Sequence, residues 1–162
     1  MDLLTDILQP GFNEVLSSPT TITHIAYSLH SSSLKLRTLA LELLAAICVL
    51  SMVDGHKAVL SAMSDYRITY DESFRFETLV GSLRLPDITD GSDSADDVGA
   101  SVGNENEGIW DTRTASMALV NALTNCPEPL EDRILLREEF GRRGLNEAIV
   151  VRRGSIGWVV FV

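Results

Sequence analysis

The nonapeptide ELLAAICVL, Glu42 to Leu50, has no polar side chain after its first residue. With the residues before it, it repeats apolar side chains at helical spacing. One stripe consists of Leu36, Leu39, Leu43, Ile47 and Leu50, and a second of Leu34, Leu41, Leu44 and Cys48. A helix that is apolar on every side needs neighbours on every side, which predicts a core helix. Ala45 and Ala46 leave an alternative open: small adjacent residues could form the floor of a groove that another helix fills.

Helical spacing also dominates the first half of the chain outside this stretch. Ser18 followed by Pro19 is typical of an N-cap and a first helical residue. Asp54 is predicted to cap a further helix, whose inward side chains are Val59, Leu60 and Met63. Phe74, Leu79 and Leu83 are predicted to anchor the helical segment that follows.

The second half repeats the pattern in WDTRTASMALVNALTNC (110–126) and PEPLEDRILLREEFGRRGL (127–145). In the latter, Pro129, Glu131 and Asp132 favour a helix start, whereas Arg142 and Arg143 with Gly144 favour a helix end. Two i,i+4 ion pairs are expected, Glu138 with Arg142 and Glu139 with Arg143. A short last helix is expected from Leu145 to about Val151, so the sequence predicts an all-α chain.

Two segments break this pattern. PDITDGSDSADDVGASVGNENEG (86–108) has no basic residue and too little apolar surface to offset its ordering entropy, so it is interpreted as a disordered acidic loop, either inert or able to bind something basic. The last residues, GSIGWVVFV, are apolar and β-prone, and either pack onto the last helices or represent an aberrant end. The predicted division is helices over 1–85, an acidic loop over 86–109, helices over 110–151 and an atypical tail over 152–162.

Charge and motifs exclude several classes of function. Twenty-three acidic residues against thirteen basic ones give a formal net charge of −10, which argues against a general nucleic-acid or anionic-lipid binder and favours a basic partner. His24, His30 and His56 are not at metal-ligand spacing and are interpreted as helix-surface or cap-adjacent residues. No catalytic, nucleotide-binding or other cofactor motif occurs, so neither an enzyme nor a cofactor is expected.

The two cysteines and the hydropathy pattern predict the compartment. Cys48 lies in the apolar run, so a buried thiol is expected for it and not a disulfide with Cys126. The start, MDLLTDIL, lacks the basic residues of a signal peptide, and no apolar run reaches the ~20 residues that span a bilayer. We expect a soluble intracellular protein. From these residues alone, it is an α-solenoid interaction module with an unknown partner.

The segments LELLAAICVLSMVDGHKAVLSAMSDYR (41–67), FRFETLV (74–80) and ASMALVNALTNCPEPLEDRILLREEFGRRGL (115–145) resemble the regulatory region of diaphanous-related formins. That family has helices of the form LLxALCIL, GHxxVLxAM, RFxxL and xLINALxxxxExLxxRxxLRxEFxxxGL in this order. The resemblance covers about Leu34 to Val150 without the acidic loop. The loop and the segment Thr20 to Leu36 resemble fungal members most. It implies an armadillo-like α-solenoid, a right-handed superhelix of stacked helices.

The resemblance also implies a site. In the family, this region receives an amphipathic autoregulatory helix from the C-terminal part of the same protein in a groove, and the matching residues here are Ala46, Val49, Leu50 and Asn121. Small apolar residues on a groove floor let a guest helix approach closely. An amide such as that of Asn121 could bond the guest, or alternatively a neighbouring turn of its own helix. Whether or not the stretch Ala45 to Leu50 forms a groove floor, part of it is expected to lie in the core. A solenoid helix packs on one side and presents the other.

By resemblance, a Rho-type small GTPase displaces the autoregulatory helix and frees the half of the protein that nucleates actin filaments, in the cytoplasm and cytoskeleton at the cell cortex. Compared with the family pattern, the chain is expected to lack most of the GTPase-binding part, the dimerisation helices and the actin-assembling domains. It is therefore expected to retain only the helix-binding groove. Two alternatives remain: a generic helical-repeat scaffold for protein complexes, and a non-functional fragment of a mis-predicted gene.

Overall fold

A computed structural model describes residues 14–15, 18–84 and 102–150, and every regular element within them is helical. The α-helices are α1 (Pro19–Tyr27), α2 (Leu34–Leu50), α3 (Asp54–Thr69), α4 (Glu77–Gly81), α5 (Val102–Asn125), α6 (Leu130–Arg142) and α7 (Leu145–Val150). A 3₁₀ turn, Ser28–His30, follows α1. The all-α prediction is confirmed for these residues. The predictions for 1–13, for the acidic segment up to 101 and for the tail 152–162 lie outside them.

Helix ends follow local signals in most places. α1 begins with Ser18 as N-cap and Pro19 as its first residue, as predicted. The end of α6 is also as predicted, because Gly144 adopts the left-handed conformation (φ +83°) that terminates a helix without a steric penalty. α7 then covers Leu145–Val150, within one residue of the expected end.

The N-terminus of α3 differs from the prediction. Asp54 is not the cap but the first residue of the helix. The hydroxyl oxygen of Ser51 instead accepts a hydrogen bond from the backbone N–H of Gly55 at 3.0 Å. The connection between α2 and α3 is so short that one residue, Ser51, both ends α2 and satisfies a free N–H group of α3.

The predicted end of the acidic loop is wrong. α5 begins at Val102, so the helix includes residues that the sequence analysis assigned to the loop. The composition of this stretch therefore does not prevent a helix.

The core is built on the contact between α2 and α5, the most extensive between any two elements described. The hydroxyl groups of Thr38 and Thr112, 74 residues apart in the chain, are hydrogen-bonded at 2.8 Å. Leu34 and Gly108, separated by the same number of residues, are also adjacent, since a Cβ on Gly108 would lie 3.5 Å from Leu34 Cδ1. Both contacts join residues that are 74 positions apart, so a step along α2 matches an equal step in the same direction along α5. The two helices therefore run parallel, as corresponding helices of successive solenoid repeats do.

α3 packs on α2 and on α1. Val59 and Met63 are fully buried as predicted, whereas Leu60 is half-buried. At the start of α3, His56 is buried, and its Nε2 lies 2.9 Å from the carbonyl oxygen of Leu123 in α5. His56 is the third residue of α3 and is therefore cap-adjacent, one of the two interpretations given, but it is not at the surface, because the tight α2–α3 turn carries its ring under α5. His24 and His30 are exposed.

The turn between α3 and α4 is strained. Phe76 has φ 74°, which is rare for a bulky residue, yet its ring is fully buried and stacked on Phe140 with 4.6 Å between ring centroids. It is Phe76, and not the predicted Phe74, that anchors this segment, together with the buried Leu79 and Leu83. Phe74 is half-buried, because its ring lies under the Arg143 guanidinium.

One of the two predicted ion pairs is present. Arg142 pairs with Glu138 at 2.8 Å. Glu139 does not pair with Arg143 but binds Arg75 through both carboxylate oxygens, at 3.1 and 2.5 Å. The bidentate ion pair between Arg75 and Glu139 joins the α3–α4 turn to α6. Its geometry is more favourable than that of an i,i+4 pair between two flexible side chains on one helix.

Both cysteines are free thiols, and Cys48 is fully buried, as predicted. Burial raises the pKa of Cys48 from its ordinary 9.0 to about 12, with a smaller contribution from the nearby Cys126. Burial also raises the pKa of the half-buried Cys126 thiol.

Gly55 marks a close approach of α3 to α2, and its substitution tests that packing. A Cβ there would lie 2.5 Å from the carbonyl oxygen of Ile47 and 2.8 Å from Ser51 Cβ. We expect Gly55→Ala to lower the free energy of unfolding in urea by about 1–3 kcal/mol, as overpacking does. Gly81→Ala is the matched control, because nothing lies within 4 Å of its Cβ, and it should raise that free energy by about 0.5 kcal/mol. Equal effects would contradict the packing described.

The buried thiol makes a second prediction. Unfolding returns Cys48 to its ordinary pKa of 9.0, so between this value and about 12 the unfolded state loses a proton that the folded state keeps. Stability therefore falls as the pH rises above 9. In urea titrations from pH 8 to 10.5, Cys48→Ala should show a shallower loss of stability with pH than the unchanged chain. At pH 8, iodoacetamide should modify Cys126 before Cys48; the reverse order would contradict this prediction.

Candidate partner-helix groove

One side of α2 has no neighbour among the described residues. Four leucines and a valine on that side are between 46% and 69% exposed: Leu36, Leu39, Leu43, Val49 and Leu50. The opposite side is buried, including Leu41, Leu44, Ile47 and Cys48. The expectation that α2 is covered on all sides is therefore wrong, because α1, α3 and α5 leave one side of it open. Ile47 belongs to the buried side and not to the exposed stripe.

The predicted groove residues Ala46, Val49 and Leu50 all lie on this open side. We call it the α2 face, formed by Leu36, Leu39, Leu43, Ala46, Val49 and Leu50. At the ~1.5 Å rise per residue of an α-helix, it is about 21 Å long. Asn121 is exposed on α5, and the register of the two helices puts it level with Ile47, one residue beyond Ala46. The four predicted residues therefore come from two adjacent, parallel helices at the same height.

Asn121 makes a hydrogen bond within its own helix. Its side-chain oxygen accepts from the amide of Asn125 one turn later. The Asn125 side-chain oxygen in turn accepts from Arg137 of α6 at 2.6 Å. This is the internal bond that the sequence left as an alternative. It uses only the oxygen of Asn121, and the amide nitrogen has no partner among the described residues, so a donor remains exposed at the surface.

Sequence reasoning missed a cleft beyond the C-terminal end of the α2 face. The cleft has a volume of about 520 Å³ and is lined by side chains that include Met52, Val53, Pro127, Leu135 and the buried His56. Met52 and Val53 are each 54% exposed and directly follow α2. The apolar residues Met52 and Val53 directly after α2 were the sequence signal for one wall of the cleft. The other wall consists of residues of α6, whose position beside them could not be predicted from sequence.

The charges of this cleft are mostly acidic. Its lining includes Glu128, Asp132, Glu139, Lys57 and Arg75. Glu139 and Arg75 neutralise each other. The remaining lining charges are two carboxylates and one lysine, which suits a basic guest better than an acidic one.

The arrangement suits binding, because its side chains are mainly aliphatic. The described residues contain no group of three or more histidine, cysteine or acidic side chains that could hold a metal ion. Nor is any helix in that part of the chain long and apolar enough to cross a bilayer. An exposed apolar face on a helix is the usual receptor for an amphipathic helix.

Comparisons with known proteins agree with this description. Residues 56–154 match the family described as the Diaphanous FH3 Domain. Human Formin-like protein 2 is 33% identical over 139 residues, which cover 86% of this chain and 11% of that protein. Formin-F of Dictyostelium discoideum is 29% identical over 143 residues, 88% of this chain and 10% of that protein.

A third relative, Disheveled-associated activator of morphogenesis 2 of Gallus gallus, is 32% identical over 142 residues, 86% of this chain and 12% of that protein. The chain thus spans about a tenth of the length of these relatives. The family match covers more than half of the chain and includes α4 to α7 and all but the first two residues of α3. The chain therefore belongs to the Diaphanous FH3 Domain family, the armadillo-like helical regulatory family of the diaphanous-related formins.

Proposed function

We propose that the α2 face binds an amphipathic helix, and that this helix is the C-terminal autoregulatory segment of a diaphanous-related formin. The observation that carries the proposal is the row of exposed apolar side chains on a helix whose other side is core. Contiguous apolar surface of this kind marks binding sites in soluble proteins. Membership of a formin regulatory family supports a regulatory helix as the guest.

The energetics favour a helical guest. Full burial of a leucine or valine side chain contributes about 1.5–3 kcal/mol. Leu36, Leu43 and Leu50 are each roughly half exposed or more, so covering each contributes about 1 kcal/mol on the same scale. Three or more such contacts along one face can offset the entropy of docking a short helix.

Ala46 gives the face its shape. It lies between Leu43 and Leu50 on the exposed side of α2 and is the smallest side chain there. A small residue flanked by larger ones leaves a depression into which a guest side chain or backbone fits. Asn121, level with this point on α5, offers its amide N–H group to a backbone carbonyl or polar side chain of the guest.

Charge supports a guest with basic flanks. The chain carries a net charge of −10, and the cleft beyond Leu50 has more carboxylates than free cations. Opposite charges accelerate association and fix the direction in which a helix docks.

In the full-length protein, this contact would hold the actin-assembling half inactive. A Rho-type GTPase that binds to the regulatory region would displace the helix and allow actin filament nucleation at the cell cortex. The similarity to formins supports a role in actin regulation. The α2 face supplies the contact that the GTPase would break. The same contact distinguishes a formin regulator from a helical scaffold, which would not prefer a formin helix over other basic helices.

Ala46→Asp tests the proposal directly. Ala46 is exposed, so the change should leave helicity by circular dichroism intact, yet a guest helix would bury an unpaired charge. We expect affinity for a formin autoregulatory peptide, measured by titration calorimetry, to fall by more than about a hundredfold. Ile149→Asp on α7 is the matched control: it adds the same charge at an exposed apolar residue (47%) and should leave affinity unchanged. Unchanged affinity in Ala46→Asp, or equal binding of unrelated basic helices, would reject the proposal.

Asn121→Asp isolates the amide donor. The aspartate keeps the oxygen that accepts from Asn125, so the internal bond and the stability should be preserved. The variant replaces the N–H group offered to the guest by a second carboxylate oxygen and adds one negative charge. We expect the binding free energy to weaken by about 1–3 kcal/mol, as for one lost buried hydrogen bond. A loss of stability without a loss of affinity would assign Asn121 a purely internal role.

A further inference from the structure

A second cleft, which shares only Arg75 and Glu139 with the cleft beyond the α2 face, is lined by arginines. It has a volume of about 330 Å³ and lies between α3, the α3–α4 turn and α6. Its polar lining consists of Arg67, Arg75, Arg143, Ser64, Ser73 and Glu139, and its apolar part of Ile68 and Phe74. We call it the arginine cleft. In a chain with a net charge of −10, three guanidinium groups facing one carboxylate are an unexpected concentration of positive charge.

The single carboxylate of the cleft is already used. Glu139 binds Arg75 through both oxygens, and a further nitrogen of Arg75 lies 3.5 Å from the hydroxyl oxygen of Ser64. Arg75 is therefore held rigidly, with its charge balanced. Glu139 pairs with Arg75 and not with Arg143, so Arg143 has no ion pair among the described residues.

In the other two arginines, Arg67 and Arg143, most N–H groups of the guanidinium make no hydrogen bond to the described residues. The Arg143 guanidinium lies over the ring of Phe74, 4.4 Å from its centroid, which orients it without using its N–H groups. Arg67 donates through Nε to the backbone carbonyl of Glu72 at 3.3 Å, and this bond leaves its two terminal nitrogens. Both cations are ordered by contacts that do not neutralise them.

Neighbouring carboxylates are engaged elsewhere. Glu72 accepts a hydrogen bond from the backbone N–H of Thr78 at 2.8 Å, and Glu77 accepts one from the backbone N–H of Ser73 at 2.7 Å. These bonds hold the α3–α4 turn, in which Asp71 and Phe76 have positive φ angles. The turn thus presents Ser73 and Phe74 to the cleft, while Glu72 and Glu77 bind the backbone.

We propose that the arginine cleft binds a phosphorylated side chain, phosphoserine or phosphothreonine, of a partner protein. Guanidinium groups bind phosphate oxygens through strong charge-assisted hydrogen bonds, and arginine clusters are the usual receptors of phosphorylated peptides. The hydroxyl group of Ser73 can add a further bond. Ile68, 77% exposed, and Phe74 provide apolar contact for the residues beside the phosphate.

Size and charge favour a single phosphorylated side chain over larger polyanions. The cleft is at the lower end of the ~300–1,000 Å³ typical of small-ligand sites. An anionic membrane or a nucleic acid would bring many negative charges toward a protein that carries a net charge of −10, and this repulsion opposes both. One phosphate group entering a cleft with two unpaired cations avoids that repulsion.

The test uses the full chain and a five-residue peptide with one phosphoserine flanked by alanines and leucine. Its binding is followed by NMR through the arginine Nε–Hε resonances. We expect shifts of the Arg67 and Arg143 signals with the phosphopeptide and none with the unphosphorylated or glutamate-containing peptide. Arg143→Gln and Arg67→Gln should each weaken binding about tenfold, the effect of one lost charge-assisted hydrogen bond, with thermal unfolding unchanged.

Arg142→Gln is the matched control. It removes the same charge from the adjacent residue, but Arg142 is 75% exposed and pairs with Glu138 outside the cleft. Its affinity should equal that of the unchanged chain. Equal losses in Arg142→Gln and Arg143→Gln, equal binding of the glutamate peptide, or binding of phosphoinositide vesicles without binding of the peptide would each overturn the proposal. None of these results depends on the α2 face, because the two surfaces share no residue.

Discussion

The parallel packing of α2 on α5 is the constraint on which the rest of this structure depends. The Thr38–Thr112 hydrogen bond and the contact between Leu34 and Gly108 set a single register for two helices that are 74 residues apart in the chain. That register places Asn121 level with Ala46 and brings Leu123 over His56. It also determines which side of α2 is covered, because a helix in a stack has its neighbours on one side and leaves the other open.

This constraint resolves the ambiguity of the stretch Glu42 to Leu50. Its apolar residues serve two surfaces: Leu44, Ile47 and Cys48 belong to the core, whereas Val49 and Leu50 lie on the α2 face. The buried thiol of Cys48, with its pKa raised to about 12, and the exposed Leu50 are only two residues apart. A run of apolar residues thus combines stability on one side of a helix with a capacity for binding on the other.

Glu139, the single carboxylate of the arginine cleft, decides which arginine there is paired. Glu139 can pair with Arg143 on its own helix or with Arg75 on the α3–α4 turn, and the two-pronged geometry of Arg75 prevails. The consequence is an arginine cleft with two unpaired cations in an acidic protein. The strained turn is part of the same arrangement, since Phe76 is held at a positive φ by its stacking on Phe140 and leaves Phe74 beside Arg143.

The sequence by itself determined the helical class, the start of α1, the end of α6, the buried state of Cys48 and, through resemblance, the family. These features depend on local spacing, capping residues and ordered motifs. The tertiary structure alone decided which side of α2 is open, that Phe76 and not Phe74 is the anchor, that Ser51 caps α3, and which arginine Glu139 binds. The physical reason is that, in each case, two neighbouring residues could make the same kind of contact with similar free energy. Only contacts between residues far apart in the chain, such as Arg75 with Glu139 or α2 with α5, make one choice more favourable than the other.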